Sequence, residues 1–123
     1  MIKQVIVIRK DLKMRRGKEI AQGSHASMAF LLGDETHTPR FYTKIPNVTE
    51  WLKDGQTKVC VSVDSEQELI DIQQQALEAG LMCNLITDLG RTEFDGVPTK
   101  TCLAIGPNEA EKIDKITGQL KLR

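Results

Sequence analysis

The chain has 123 residues, 40% of them hydrophobic and 4% aromatic, and its formal charge is zero. That length suits one domain and that composition argues against disorder. No apolar run approaches the ~18–20 residues of a membrane span. The opening Met1-Ile2-Lys3-Gln4-Val5 lacks the layout of a secretory signal, so a soluble, cytoplasmic domain spanning residues 1–123 with no membrane partner is expected. The charge is uneven. Residues 1–18 hold seven bases (Lys3, Arg9, Lys10, Lys13, Arg15, Arg16, Lys18) against one acid, Asp11. Such a patch on a neutral chain fits a focused anionic partner, a phosphate or an RNA end, and equally a solvated basic loop.

In chain order, Ile2 to Ile8 reads as a strand, and its β-branched run Val5-Ile6-Val7-Ile8 suits burial on both faces. Residues 9–16 are polar and basic and predict a loop. Gly17 opens a helical stretch to about Leu32, ending near Gly33. Its small residues, Ala21, Ser24, Ala26, Ser27 and Ala29, permit close approach to a sheet, with Met28, Leu31 and Leu32 adding larger apolar contacts. Residues 33–46 carry glycine, proline and threonine punctuation and predict irregular structure. A short helix from Val48 to Asp54 follows, with Trp51 and Leu52 as anchors and Gly55 as its stop.

Lys58 to Val63 predicts a second strand. Ser65-Glu66-Gln67-Glu68 forms a capping box before a helix with Leu69, Ile72, Ala76 and Leu77 on its apolar side, stopped by Gly80. Leu81 to Ile86 and Lys100 to Ile105 predict strands three and four, with Asp95-Gly96 as a turn between them. Pro107 sits where a helix over 108–117 starts, and Gly118 ends it. Helical crossovers imply parallel pairing after strands one and two, and the shorter link implies antiparallel pairing of strands three and four. The expected architecture is α/β, a mixed four-stranded sheet with helices on both faces. Cys60, Cys83 and Cys102 lie in apolar runs without C-x-x-C spacing, which predicts buried, reduced thiols.

Two segments carry candidate chemistry. In Lys13-Met14-Arg15-Arg16-Gly17-Lys18 a basic loop meets a helix N-terminus, whose unpaired N–H groups attract anions. Lys18, Gln22 and His25 follow at i, i+4 and i+7, on one helix face. That row either orients a polar substrate or is a solvated face with His25 satisfied by a carbonyl. The second segment, Asp88-Leu89-Gly90-Arg91-Thr92, directly follows strand three, where open α/β sheets place ligands. Asp88 there accepts a proton or fixes a lysine, or simply makes an Asx turn. Thr99 and Thr101, two residues apart, point to one face of strand four. A lysine, a carboxylate and hydroxyls suit polarising a carbonyl or activating water. Two isolated histidines and scattered carboxylates make no zinc motif, so no metal and no cofactor is expected.

Taken in order, several stretches resemble the archaeal and eukaryotic type (type 2) of peptidyl-tRNA hydrolase. They are Val5-Ile6-Val7-Ile8-Arg9 with Asp11-Leu12-Lys13-Met14, Arg16-Gly17-Lys18-Glu19-Ile20-Ala21-Gln22 with Ser24-His25-Ala26, and Gly55-Gln56-Thr57-Lys58-Val59. Asp88-Leu89-Gly90-Arg91-Thr92, Gly106-Pro107 and Ile113-Asp114-Lys115-Ile116-Thr117-Gly118 with Leu120-Lys121-Leu122 complete the set, and only 33–54 lacks a counterpart. The resemblance implies a helix-covered mixed sheet, a homodimer, and metal-free hydrolysis of the ester joining a peptide to the 3′ ribose of tRNA. It implies catalytic roles for Lys18, Gln22, Asp88, Thr92 and Thr101. Substrate contacts would come from Lys13, Arg15, Arg16, Gly17, His25, Gly90, Arg91 and Thr99. The chain departs from the family pattern at Arg15, where a glycine is usual, at Leu89, where alanine is preferred, and at Gly23, where a larger residue is usual. A non-catalytic tRNA-binding or adaptor paralogue, and an esterase or amidase for small substrates, are the alternatives to be separated.

Overall fold

The computed structural model describes residues 1–32, 41–91 and 93–123. Four strands, β1 (Ile2–Arg9), β2 (Lys58–Val63), β3 (Cys83–Asp88) and β4 (Thr99–Glu109), form one sheet in the order β2-β1-β4-β3. β1 pairs parallel with β2 and antiparallel with β4, and β3 pairs antiparallel with β4. The α-helices among the described residues are α1 (Arg16–Met28), α2 (Val48–Lys53), α3 (Glu66–Glu78) and α4 (Ala110–Thr117).

Alternation along β1 sorts its side chains into two cores. Val5 and Val7 pack with Leu103, Ile105, and the α3 and α4 residues Leu69, Ile72, Ile113 and Ile116. Ile6 and Ile8 pack on the other face with Met14, Ala26, Cys102 and Ala104. α1 therefore covers one face and α3 with α4 the other. At one end Phe30, Ile45, Val48 and Trp51 form a third cluster with Ile2. There Trp51 meets Phe30 edge-on and donates its indole N–H to the Thr57 carbonyl at 2.9 Å.

Local signals act as their chemistry dictates. Ser65 caps α3 by accepting the Glu68 N–H at 3.1 Å, while the Glu68 carboxylate accepts from the Asp64 N–H at 2.7 Å. Several expectations are corrected. β2 and β3 run in the same sense but do not pair. The α3 crossover carries the chain past β1 and β4, because β4, buried from Thr101 to Pro107, takes the central place and the half-buried β3 the edge. Pro107 does not start a helix: β4 continues through the cis Gly106–Pro107 bond, pairing Asn108 with Lys3 and Glu109 with Ile2. β3 begins two residues later than expected, Leu81 being buried in the turn after α3. Met28 and Leu77 are exposed rather than core, and Leu52 is partly so. Cys60 is exposed too, since β2 lies at the sheet edge beyond the reach of α1. Gly33, His37 and the rest of 33–40 lie outside the described residues. No helix among the described residues is long and apolar enough to cross a membrane.

Candidate active site

The N-terminal half of α1 lies beside the C-terminal end of β3, and this brings Lys18 to Asp88. The Lys18 ammonium donates to Asp88 Oδ1 at 2.7 Å, with the two side chains only 15% and 13% exposed. Gln22, one turn further along α1, donates through Nε2 to the same oxygen at a longer 3.4 Å. The Gly90 N–H donates to Asp88 Oδ2 at 2.9 Å. The bound Lys18 holds the Asp88 carboxyl below the usual carboxylate range; burial opposes this, and the Gly90 N–H and His25 add to it. Asp88 is therefore ionised at neutral pH and clasped by donors from two elements.

Thr101 completes the row by donating its hydroxyl to Gln22 Oε1 at 2.5 Å. Adjacent residues on a strand normally face opposite sides. Yet Thr101 reaches the Gln22 side chain while Cys102 Sγ donates to the Gln22 carbonyl at 3.3 Å. The register explains it: Ile86 pairs with Cys102 and Thr87 with Lys100, which leaves Thr101 as an extra residue, a β-bulge that turns its side chain to the α1 face. Arg9 braces the bulge by donating to the Lys100 carbonyl at 3.0 Å while forking onto Asp11. The expectation that Thr99 joins Thr101 fails in part, since the Thr99 hydroxyl donates to the Val97 carbonyl at 2.9 Å.

Gly90 is the keystone of the loop after β3. Its φ is +79°, and a Cβ there would lie 2.6 Å from the Val97 nitrogen and 2.7 Å from its carbonyl oxygen. The Gly96 N–H closes the loop on the Gly90 carbonyl at 2.9 Å. Leu89 and Arg91 stand exposed on the rim.

These residues line a cleft of about 390 Å³, walled by Lys18, Gln22 and His25 on one side and by β3 from Leu85 to Asp88 on the other. His25 thus shares the predicted helix face and is exposed in the cleft. Lys13, Arg15, Arg16 and Gly17 are exposed at the start of α1; Lys13 has φ +51°, and a Cβ on Gly17 would meet open space. Thr92 lies outside the described residues. Among the described residues no group of three His, Cys, Asp or Glu side chains is placed to hold a metal ion.

Two positioning residues carry little sequence signal. Cys102 reads as a core hydrophobe, yet its thiol, pushed up to about 11 by burial, stays protonated and donates to α1. Gln4 is fully buried; it donates to the Ser27 carbonyl at 3.0 Å and accepts the Ser27 hydroxyl at 2.6 Å, fastening the far end of α1 to β1. A lone glutamine inside an apolar strand was the available clue.

A family profile described as peptidyl-tRNA hydrolase PTH2 matches residues 2–123. Among similar proteins, the peptidyl-tRNA hydrolase of Methanocaldococcus jannaschii is 50% identical over 121 residues, which is 98% of this chain and 99% of that one. The peptidyl-tRNA hydrolase of Methanopyrus kandleri is 45% identical over 123 residues (99% and 98%), and that of Methanothermobacter thermautotrophicus 44% over 121 (98% and 99%). A solved structure of a protein of unknown function from Agrobacterium tumefaciens shares the fold, with a TM-score of 0.56 at 16% identity, covering 98% of this chain and 96% of its own. A match across the whole chain, with relatives at this level of identity, makes the chain a member of the PTH2 family of peptidyl-tRNA hydrolases.

Proposed function

We propose that the protein hydrolyses the ester between a peptidyl group and the 3′ ribose of tRNA, releasing free tRNA. Family membership carries the reaction, and the Lys18–Asp88 pair at the mouth of the cleft carries the site. Lys18 stabilises the oxyanion that forms as water attacks the ester carbonyl, a cation held where charge develops. A carboxylate below its usual range is a poor proton acceptor, so the first task of Asp88 is to fix Lys18. Ionised, it offers about four acceptor sites, and the donors from Lys18, Gln22 and Gly90 leave room for the attacking water. Gln22, held by Thr101, orients the water or the substrate carbonyl.

Lys13, Arg15, Arg16 and Arg91 grip the tRNA backbone, with phosphate favoured by the α1 N-terminus, and binding weakens steeply with salt. Gly17 lets the backbone approach closely there, and His25 contacts the substrate in the cleft. The reaction needs no metal, the Lys18 cation supplying the stabilisation. The enzyme works in the cytoplasm as a homodimer, with the exposed Ile20 and Met28 of α1, beside an apolar groove running to Cys60, covered by the second copy.

The test is peptide release from an N-acylated aminoacyl-tRNA with chelator present, comparing wild type with Lys18→Ala and Asp88→Ala. Cleavage that survives chelation and collapses in both variants is expected. Salt-sensitive tRNA binding without cleavage would assign the chain to the adaptor class. Cleavage indifferent to the tRNA body and to salt would make it a small-substrate esterase. Sedimentation giving only monomers at micromolar concentration would remove the dimer.

A further inference from the structure

The two edges of the sheet differ. At the β2 edge the C-terminal segment pairs with the strand: the Ser62 N–H donates to the Lys121 carbonyl, the Arg123 N–H to the Cys60 carbonyl, and Val61 bridges Leu122. At the β3 edge, no backbone hydrogen bond reaches the outward groups among the described residues. The outward groups follow from the ladder. In an antiparallel pair, alternate residues exchange bonds with the neighbouring strand. The Gly106 N–H donates to the Met82 carbonyl, and Asn84 and Ile86 pair with Ala104 and Cys102. Cys83 and Leu85 therefore turn N–H and C=O away from β4. Edge strands are normally blunted by charge, proline or a covering segment, but residues 83–87 carry neither charge nor proline.

This edge is one wall of the active-site cleft. The opposite wall, Lys18 to His25, is eight residues of helix, about 10 Å over its seven rises of about 1.5 Å. Leu85 to Asp88 is four residues of strand, again about 10 Å over three rises. The trough thus runs from the Lys18–Asp88 pair down β3 and accommodates about three residues of extended chain. The basic start of α1, Arg15 and Arg16, lies beyond Lys18, at the Asp88 end of the trough.

Resting on the proposed reaction, we propose that the peptide moiety of the substrate lies extended along β3 as an added parallel strand. Its ester carbonyl sits at Lys18, and the amide N–H of its penultimate residue donates to the Leu85 carbonyl. Main-chain pairing is indifferent to side chains, which is what a substrate class united only by its peptide backbone requires. The tRNA body then leaves the cleft toward Arg15 and Arg16, and peptide and nucleic acid occupy opposite ends.

The test compares acetyl-trialanyl-tRNA with the same substrate N-methylated at the penultimate residue. Loss of one main-chain hydrogen bond raises KM about threefold to tenfold, with kcat unchanged. Leu85→Pro, which removes an outward N–H while sparing the β4 ladder, is expected to narrow the KM advantage of acetyl-trialanyl- over acetyl-alanyl-tRNA. Should that variant fail to fold in a urea melt, the substrate pair decides alone. Equal KM for the parent and N-methylated substrates overturns the inference while leaving the active site standing; a second copy seated on this edge would give that result. No cleavage of acetyl-trialanyl-tRNA overturns the site and the inference together.

Discussion

Replacing Asp88 by Asn keeps the shape of the side chain and removes its ability to accept on both sides. In the wild type Oδ1 receives Lys18 and Gln22, and Oδ2 receives the Gly90 N–H. An asparagine with its oxygen toward Lys18 turns its NH2 group against the Gly90 N–H, donor facing donor. Flipped, it turns that group against the Lys18 ammonium and the Gln22 amide. Either way at least one hydrogen bond to an ionised partner is lost in a largely buried pair, about 1.5–3 kcal/mol. If that loss falls on the placement of Lys18 in the transition state, kcat/KM drops roughly tenfold to 150-fold at 1.36 kcal/mol per decade. The assay is single-turnover hydrolysis of an N-acetyl-aminoacyl-tRNA at neutral pH, with a urea melt of the same sample to show that it is folded. A folded Asp88→Asn variant within about threefold of wild type would refute the clasp as the source of catalysis.

The same clasp sets a pH dependence. Asp88 titrates below its unfolded-state value, so its stabilising contribution is complete above the ordinary aspartate pKa, ~3.9, and is lost as pH falls through the lower folded value. Urea melts should show wild type exceeding Asp88→Asn by a constant margin from pH 7 down to about 5, with the margin shrinking only in stronger acid; a margin that grows on acidification contradicts the assignment. Gly90→Ala should cost both stability and turnover, since its Cβ strikes the Val97 backbone at positive φ and displaces a donor to Asp88; αL strain alone costs about 1–2 kcal/mol, and an unchanged melting midpoint would be incompatible with this loop. Gly23→Ala should stabilise by roughly 0.5–1 kcal/mol through helix propensity, because the added methyl meets Ile6 and Ile8 at 3.8 Å, ordinary contact; a drop in the urea midpoint would show that α1 sits closer to β1 than this. Removing both Arg15 and Arg16 should flatten the plot of log tRNA affinity against log salt by about 1.4–1.8, the share of two phosphate contacts; a parallel shift would place those arginines off the backbone path.

Much of this molecule was legible in its residue order. The β-branched run of β1, the capping box of α3 and the 58–63 strand are local signals, and local sterics and hydrogen bonding settle them. The i, i+4, i+7 spacing put Lys18, Gln22 and His25 on one face of α1, and the fold lines a cleft with that face. What residue order could not settle is whatever depends on partners distant in sequence. Strand order is one case: helical crossovers suggested that β2 and β3 pair, but burial of β4 on both faces seats it between β1 and β3. Pro107 is another, since a helix-start signal is overridden when the chain continues to pair with β1 as far as Glu109. Thr101 is a third. Strict alternation groups it with Thr99, and only the bulge, a mismatch between two strands, delivers its hydroxyl to Gln22. Residue types and helical period named the chemistry that was available. The packing of α1 against β3 and β4 decided which of those groups meet, because a 2.7 Å contact between residues 70 apart in sequence is set by the fold and not by the chain.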